Sequence, residues 1–391
     1  MRFVPSVLQL EAEMRTWRHH LHAHPELGFE EVETARFIAE KLRSFGLEVT
    51  DRVGRTGVVG TLRGRLGGGR SIGIRADMDA LPMTEERSLS YSSRMLGRMH
   101  ACGHDGHMAT LLGAASVLAR SAEFHGTVHF IFQPAEEGRG GALAMLEDGL
   151  FDRFACDEIY AFHNSERPLG EVVVYEGVVA AAADRFEIVI KGQGGHAATP
   201  HLAISPLPVA ARIVLDIEAL PGRLTDAASP AVVTVGALNA GQAFNTIPAE
   251  AVIVGTVRSF DEAVRQKLEN AIKRIVNGQA AIVGATADIA YETLFAPTVN
   301  SPVQASILAD AAREIAGSEN VVWNPPPEMG SEDFSFMLQH RPGCYFLIGQ
   351  GDPEHRAVAH DPNYDFNDRI LTLGASIWVR LVERRLAEEA N

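Results

Sequence analysis

The sequence predicts an α/β protein: a mixed, largely parallel-sheet domain with a ferredoxin-like α+β domain inserted in it. Short apolar runs alternate with amphipathic helical patterns in both halves of the chain, as a parallel sheet covered by helices requires. Between Asp184 and Ala296 the order changes to βαββαβ, the split-βαβ arrangement. At 391 residues the chain also exceeds one comfortable core, given a prior of roughly 150 residues per domain. The expected division is residues 1–183 and 297–391 as one split domain, with residues 184–296 as the insertion.

Taken in order, Thr34 to Phe45 sets Phe37, Ile38, Leu42 and Phe45 at helical spacing, and Gly46 ends the helix. Ser71 to Ile74, Thr127 to Phe132 and Glu158 to Phe162 are apolar runs too short for helices and read as buried strands. Gly64 and Gly67 to Gly69 lack phosphate-loop spacing and read as a hairpin-like turn. A helix with Met108, Leu111, Leu112, Ala115 and Leu118 on one face separates the first two strands. In the insertion, RFEIVIKG, SPAVVTVGAL, AEAVIVGTVRSF and TADIAYETLF are strands, and LAISPLPVAARIVLDIEAL and DEAVRQKLENAIKRIVN are helices. Beyond Pro297 come a helix at VQASILADAAREIAG, a Pro-rich loop, the strand CYFLIG and a closing helix.

Composition removes several classes of function. Apolar residues at 46% and charged residues at 22% exclude a disordered or fibrous chain. A net charge of −15 has the wrong sign for gripping a phosphate backbone or an anionic membrane, so neither nucleic acid nor membrane is an expected partner. The longest uncharged stretch, from Ala227 to Ala249, is broken by Pro230, Asn239, Gln242, Asn245 and Pro248, too densely for a spanning helix. The amino-terminal segment meets acidic residues after only a few apolar ones, and the cysteines, Cys102, Cys156 and Cys344, are odd in number. Both features point to the cytoplasm.

The chemistry-bearing residues cluster at the ends of the expected strands. In HACGHDGH, Cys102 and His104 are two apart in a turning segment, and thiolate with imidazole is a strong transition-metal donor set. A Gly-rich helix entry with capping histidines is the plainer alternative. In QPAEEGRGG, two adjacent carboxylates follow a buried strand, where open α/β sheets place ligands. Adjacent side chains diverge, so Glu137 can bind a metal while Glu136 serves as general base, unless both are merely solvated beside Arg139. His163 follows another strand, and His360 in HDPNYDFND can complete the set. A lone histidine is more often structural, but convergence at matching strand ends is harder to obtain by chance. Asp77 and Asp79 read as orienting groups for a metal-binding histidine, and His20 and His24 as structural or pocket-wall residues. His196 follows two glycines in the insertion. No GxSxG elbow supports a serine nucleophile.

In order along the chain, IRADMDALP, HACGHDGHMATLLGAA, FIFQPAEEGRGGA, GQGGHAATPH, NTIPAEA, MGSEDFS and HDPNYDFND closely resemble the M20 family of metallopeptidases, in particular its amidohydrolase branch. The resemblance implies a catalytic domain holding two divalent metal ions per subunit (manganese, zinc, cobalt or nickel) and an inserted lid domain that also builds homo-oligomers. It implies Cys102 as a bridging thiolate, with His104, Glu137, His163 and His360 as the other ligands. Glu136 is implied as general base, His196 as oxyanion stabiliser, and Asn245 as a substrate contact. The implied substrate is an N-acyl amino acid or similar small amide. A dipeptidase, an N-carbamoyl amide hydrolase, or a non-catalytic binding protein with a structural metal is the alternative. Two departures stand out: Ser205 precedes Pro206 where an Asp-Pro pair is common, and NSERPLGE after His163 is unusually charged.

Overall fold

An eight-stranded mixed sheet forms the larger part of the computed structural model, which describes residues 1–226 and 229–387; Ala227 and Ala228, where the uncharged stretch begins, lie outside the described residues. In spatial order its strands are Glu48–Val53, Gly57–Arg63, Thr127–Gln133, Ser71–Asp77, Glu158–Pro168, Gly343–Gly351, Val172–Val174 and Val321–Trp323. The centre is parallel, from Thr127–Gln133 through Ser71–Asp77 and Glu158–Pro168 to Gly343–Gly351, and the first two strands pair antiparallel. Central strands are buried along nearly their whole length, which explains their continuous apolar runs.

Register then determines where side chains arrive. Asp77 pairs with Gln133, and Arg75 with Ala161, so Asp77, Gln133 and His163 stand level across the sheet. The helix His104–Ser121 is buried on all sides as far as Leu118, where the apolar pattern predicted only one buried face. It packs against the helices Glu11–Ala23 and Leu371–Arg385.

Two local expectations are corrected. The strands flanking Gly64 to Gly69 do not pair with each other, because Thr127–Gln133 lies between them, antiparallel to one and parallel to the other. The glycine loop is a crossing rather than a hairpin, held to the next segment by Gly64 N–H donating to Gly126 O and Gly126 N–H donating to Gly67 O. The strand predicted to end at Phe162 runs on to Pro168, because Gly343–Gly351 pairs alongside it despite the charge of Glu166 and Arg167.

The chain divides into two compact units: Met1–Val179, Val299–Pro326 and Asp333–Asn391 form the first, and Ala180–Thr298 with Pro327–Glu332 the second. The second contains an antiparallel sheet in the order Ala231–Ala240, Glu250–Ser259, Ala182–Lys191, Thr286–Phe295. Helices Leu207–Glu218 and Glu262–Ile282 bury Ile213, Ile217, Leu268 and Ile272 in its core. Asp261 caps the longer helix by accepting from Val264 N–H at 2.9 Å. The shorter helix begins at Leu207 rather than Leu202, since Pro206 disfavours helical backbone at Ser205, and no side chain caps it. Among the described residues no helix is long and apolar enough to cross a membrane.

Trp378 is fully buried on the closing helix, with its ring 6.0 Å from Phe162 and 5.2 Å from Phe346 on adjacent central strands. Trp378→Ala is expected to lower the unfolding free energy by about 3–5 kcal/mol, measured by urea denaturation.

Candidate metal centre

Each donor reaches the site by a traceable backbone device. Cys102 precedes Gly103, whose left-handed backbone (φ +94°) starts the helix that opens with His104. His360 N–H donates to Ala101 O at 2.7 Å, which ties the two loops together, and His360 itself is held at φ +68°. After Gln133 the chain turns through Ala135 at φ +52°, and Ala135 N–H donates to the buried Glu31 Oε1 at 2.8 Å. Glu137 N–H donates to Asp79 Oδ2 at 3.0 Å. That turn brings carboxylates of Glu136 and Glu137 from adjacent positions to within 4.8 Å of each other and of His104.

Carbonyl partners decide the imidazole tautomers, because a carbonyl only accepts. His104 Nδ1 donates to Asp79 O at 2.9 Å and His163 Nδ1 to Asn164 O at 2.7 Å, which leaves Nε2 as the nitrogen of each ring that could bind a metal. Cys102 Sγ lies 3.3 Å from His163 Nε2, and Glu137 Oε1 lies 3.2 Å from His360 Nε2. Donor atoms lie within 4.8 Å of one another in each of three groups: Cys102, His104 and His163; Cys102, Glu137 and His360; and His104, Glu136 and Glu137. Cys102 is common to the first two. All five residues expected as ligands are thus brought together, with Glu136 beside them.

The donor set fits cations better than it fits emptiness. His104 Nε2 is buried without a hydrogen-bond partner, a costly state that a cation there would relieve. Burial, with His107 adding to it, pushes His163 down to about 3, so its ring stays neutral and able to ligate. Burial and the Glu137 carboxylate push the Cys102 thiol up. Hydrogen bonds to Cys102 and Glu137 raise His360 to about 10. Without a metal, protons compensate the anionic groups, and divalent cations would displace them. Thiolate, imidazole and carboxylate together suit first-row transition ions.

His196 and Asn245 belong to the second unit. Gly195–His196 pairs with Thr246–Ile247 in a short ribbon, and Ala197 N–H donates to Asn245 O at 3.0 Å, which makes the two residues neighbours.

The model described as Peptidase family M20/M25/M40 matches residues 73–384. The chain belongs to that family. A hippurate hydrolase from Campylobacter jejuni is 39% identical, covering 99% of this chain and 100% of its own length. An N-acetylcysteine deacetylase from Bacillus subtilis is 37% identical over 93% of this chain and 94% of its own. The solved structure of the Bacillus subtilis YXEP protein, described as a dinuclear metal binding peptidase from the M20 family, superposes with a TM-score of 0.85. It is 33% identical, over 97% of this chain and 99% of that one. This M20 chain is a metal-dependent hydrolase.

The supports of the M20 centre are only partly legible in the sequence. Asp79 holds His104 through its main chain and Glu137 through its side chain, whereas Asp77 pairs with Arg75 and His107. His20 and His24 line a separate cavity of about 460 Å³ with Phe37 and Met95, in keeping with a wall role. Glu31 carries no motif signal, yet it fixes the turn before Glu136 and accepts from Thr56 Oγ1 at 2.6 Å.

Burial raises the Glu31 carboxyl from its ordinary 4.5 to about 7. Its folded form therefore binds a proton more tightly than its unfolded form, and the resulting stabilisation, complete below 4.5, is lost as pH rises toward 7. In metal-free protein, Glu31→Gln is expected to flatten the pH dependence of Tm between about pH 4.5 and 7. A wild-type-minus-variant difference that stays constant across that window would show ordinary ionisation.

Proposed function

We propose that the chain hydrolyses the amide bond of N-acyl amino acids. The observation that carries this reading is the pair of donor groups joined by Cys102, with the buried Glu136 next to Glu137 and His104. The names of two relatives, hippurate hydrolase and N-acetylcysteine deacetylase, support the substrate class, since each describes an acyl group on an amino-acid nitrogen.

In this reading Cys102, His104 and His163 would hold one divalent cation, and Cys102, Glu137 and His360 the other, with manganese, zinc, cobalt or nickel as fitting ions. Bound there, the ions would polarise the scissile carbonyl and lower the pKa of a water toward roughly 7. Glu136 accepts that water's proton and returns it to the leaving amine nitrogen. His196 is assigned to the developing oxyanion. Its Nδ1 accepts from Ala198 N–H at 3.0 Å, so the neutral ring keeps its proton on Nε2 as a donor. Asn245, its neighbour, is assigned to substrate contact.

The test is hydrolysis of N-benzoylglycine and N-acetyl amino acids after chelation and reconstitution with each ion. Glu136→Gln is expected to retain its metals and to lose at least a few hundred-fold in kcat. Near wild-type turnover in the metal-replete variant overturns the assignment. His196→Ala is expected to lower kcat about 10²–10³-fold with a much smaller change in KM.

A further inference from the structure

Beneath the Cys102–His104 loop runs a buried hydrogen-bond chain to which no ligand or proton-transfer role has been given. Arg75 Nη1 donates to Asp77 Oδ2 at 2.7 Å, and Asp77 Oδ1 lies 2.6 Å from His107 Nδ1. His107 Nε2 lies 2.7 Å from Asn164 Oδ1, and Asn164 Nδ2 donates to Tyr364 Oη at 2.8 Å. All of these residues are buried. Each of its last three members adjoins a donor-bearing segment: His107 sits one helical turn after His104, Asn164 follows His163, and Tyr364 shares a loop with His360. His163 in turn hydrogen-bonds the Asn164 carbonyl.

The loop rests directly on this chain. A Cβ at Gly103 would come within 2.1 Å of Asn164 Oδ1 and 2.6 Å of Tyr364 Oη, so the backbone between Cys102 and His104 is seated on the amide and the phenol. We propose that Asn164 is a positioning residue: its side chain clamps His107 to Tyr364 under Gly103, and this sets the spacing of Cys102 Sγ and His163 Nε2 and the affinity for the cation they hold. The proposal rests on the metal-centre reading above. An amide suits the place because it spans two polar partners at once. Aspartate would add a second carboxylate on His107 beside Asp77, and alanine would remove the side-chain partner that His107 and Tyr364 share, leaving them the longer contacts to Asn164 N–H at 3.3 Å and Gln350 Nε2 at 3.2 Å.

The experiment loads metal-free protein with Co²⁺ and follows the thiolate-to-cobalt charge-transfer absorption of Cys102, with affinity measured by chelator competition. Asn164→Asp and Asn164→Ala are each expected to weaken Co²⁺ binding about 10–100-fold and to reduce or shift the band. Tyr364→Phe, which removes one hydroxyl, should act in the same direction by less. Circular dichroism of the metal-free variants identifies any that fail to fold, and Tyr364→Phe carries the test if the Asn164 variants do. Wild-type affinity and an unchanged band in the folded variants overturn the clamp while leaving the metal centre standing. Absence of a band in the wild type that Cys102→Ser abolishes overturns both.

Discussion

Crowding of donor atoms around Cys102 is the constraint from which most of the molecule follows. A thiol, imidazoles and carboxylates drawn from four separate stretches of chain have donor atoms within 4.8 Å of one another in overlapping groups. In a buried setting such a set is unfavourable unless protons or cations balance it. The raised thiol of Cys102 and the raised imidazoles of His104 and His360 are the protonic solution, although His104 Nε2 stays buried without a hydrogen-bond partner. Divalent cations resolve all three at once, which is why the arrangement reads as a metal centre and not as a polar flaw in the core.

The scaffold meets this demand through rigid elements and a few strained joints. Parallel pairing sets Asp77, Gln133 and His163 level, so groups far apart in sequence arrive at one height without long flexible arms. Where the sheet cannot supply the right direction, the backbone adopts left-handed conformations at Gly103, Ala135 and His360. Non-glycine residues there carry a cost of order 1–3 kcal/mol each and persist only when their surroundings hold them. Glu31 under Ala135, and the tie from His360 to Ala101, are those holds.

Much of this was legible because the decisive signals are local. The pairing of Cys102 with His104 before a helix, the place of Glu137 just beyond the strand Thr127–Gln133, and the βαββαβ order all follow from spacing within short windows. What stayed hidden depends on partners remote in sequence. Nothing near Gly64 reveals that Thr127–Gln133 will lie between its flanking strands. RADMD offers both aspartates as orienting groups but does not show how they divide the work, Asp79 holding His104 and Glu137 and Asp77 pairing with Arg75 and His107. Glu31 and Asn164 lack a motif entirely, since their partners are a backbone amide more than a hundred positions away and a tyrosine two hundred positions away.

The charged segment NSERPLGE is engaged by its neighbours in the fold. Asn164 through Pro168 continue the strand that pairs with Gly343–Gly351. Glu166 Oε1 accepts from Ala359 N–H at 3.3 Å, next to His360, and Arg167 pairs with Glu171 at 3.2 Å. Glu166 thus braces the loop that carries a donor, and Arg167 is paired within its own segment.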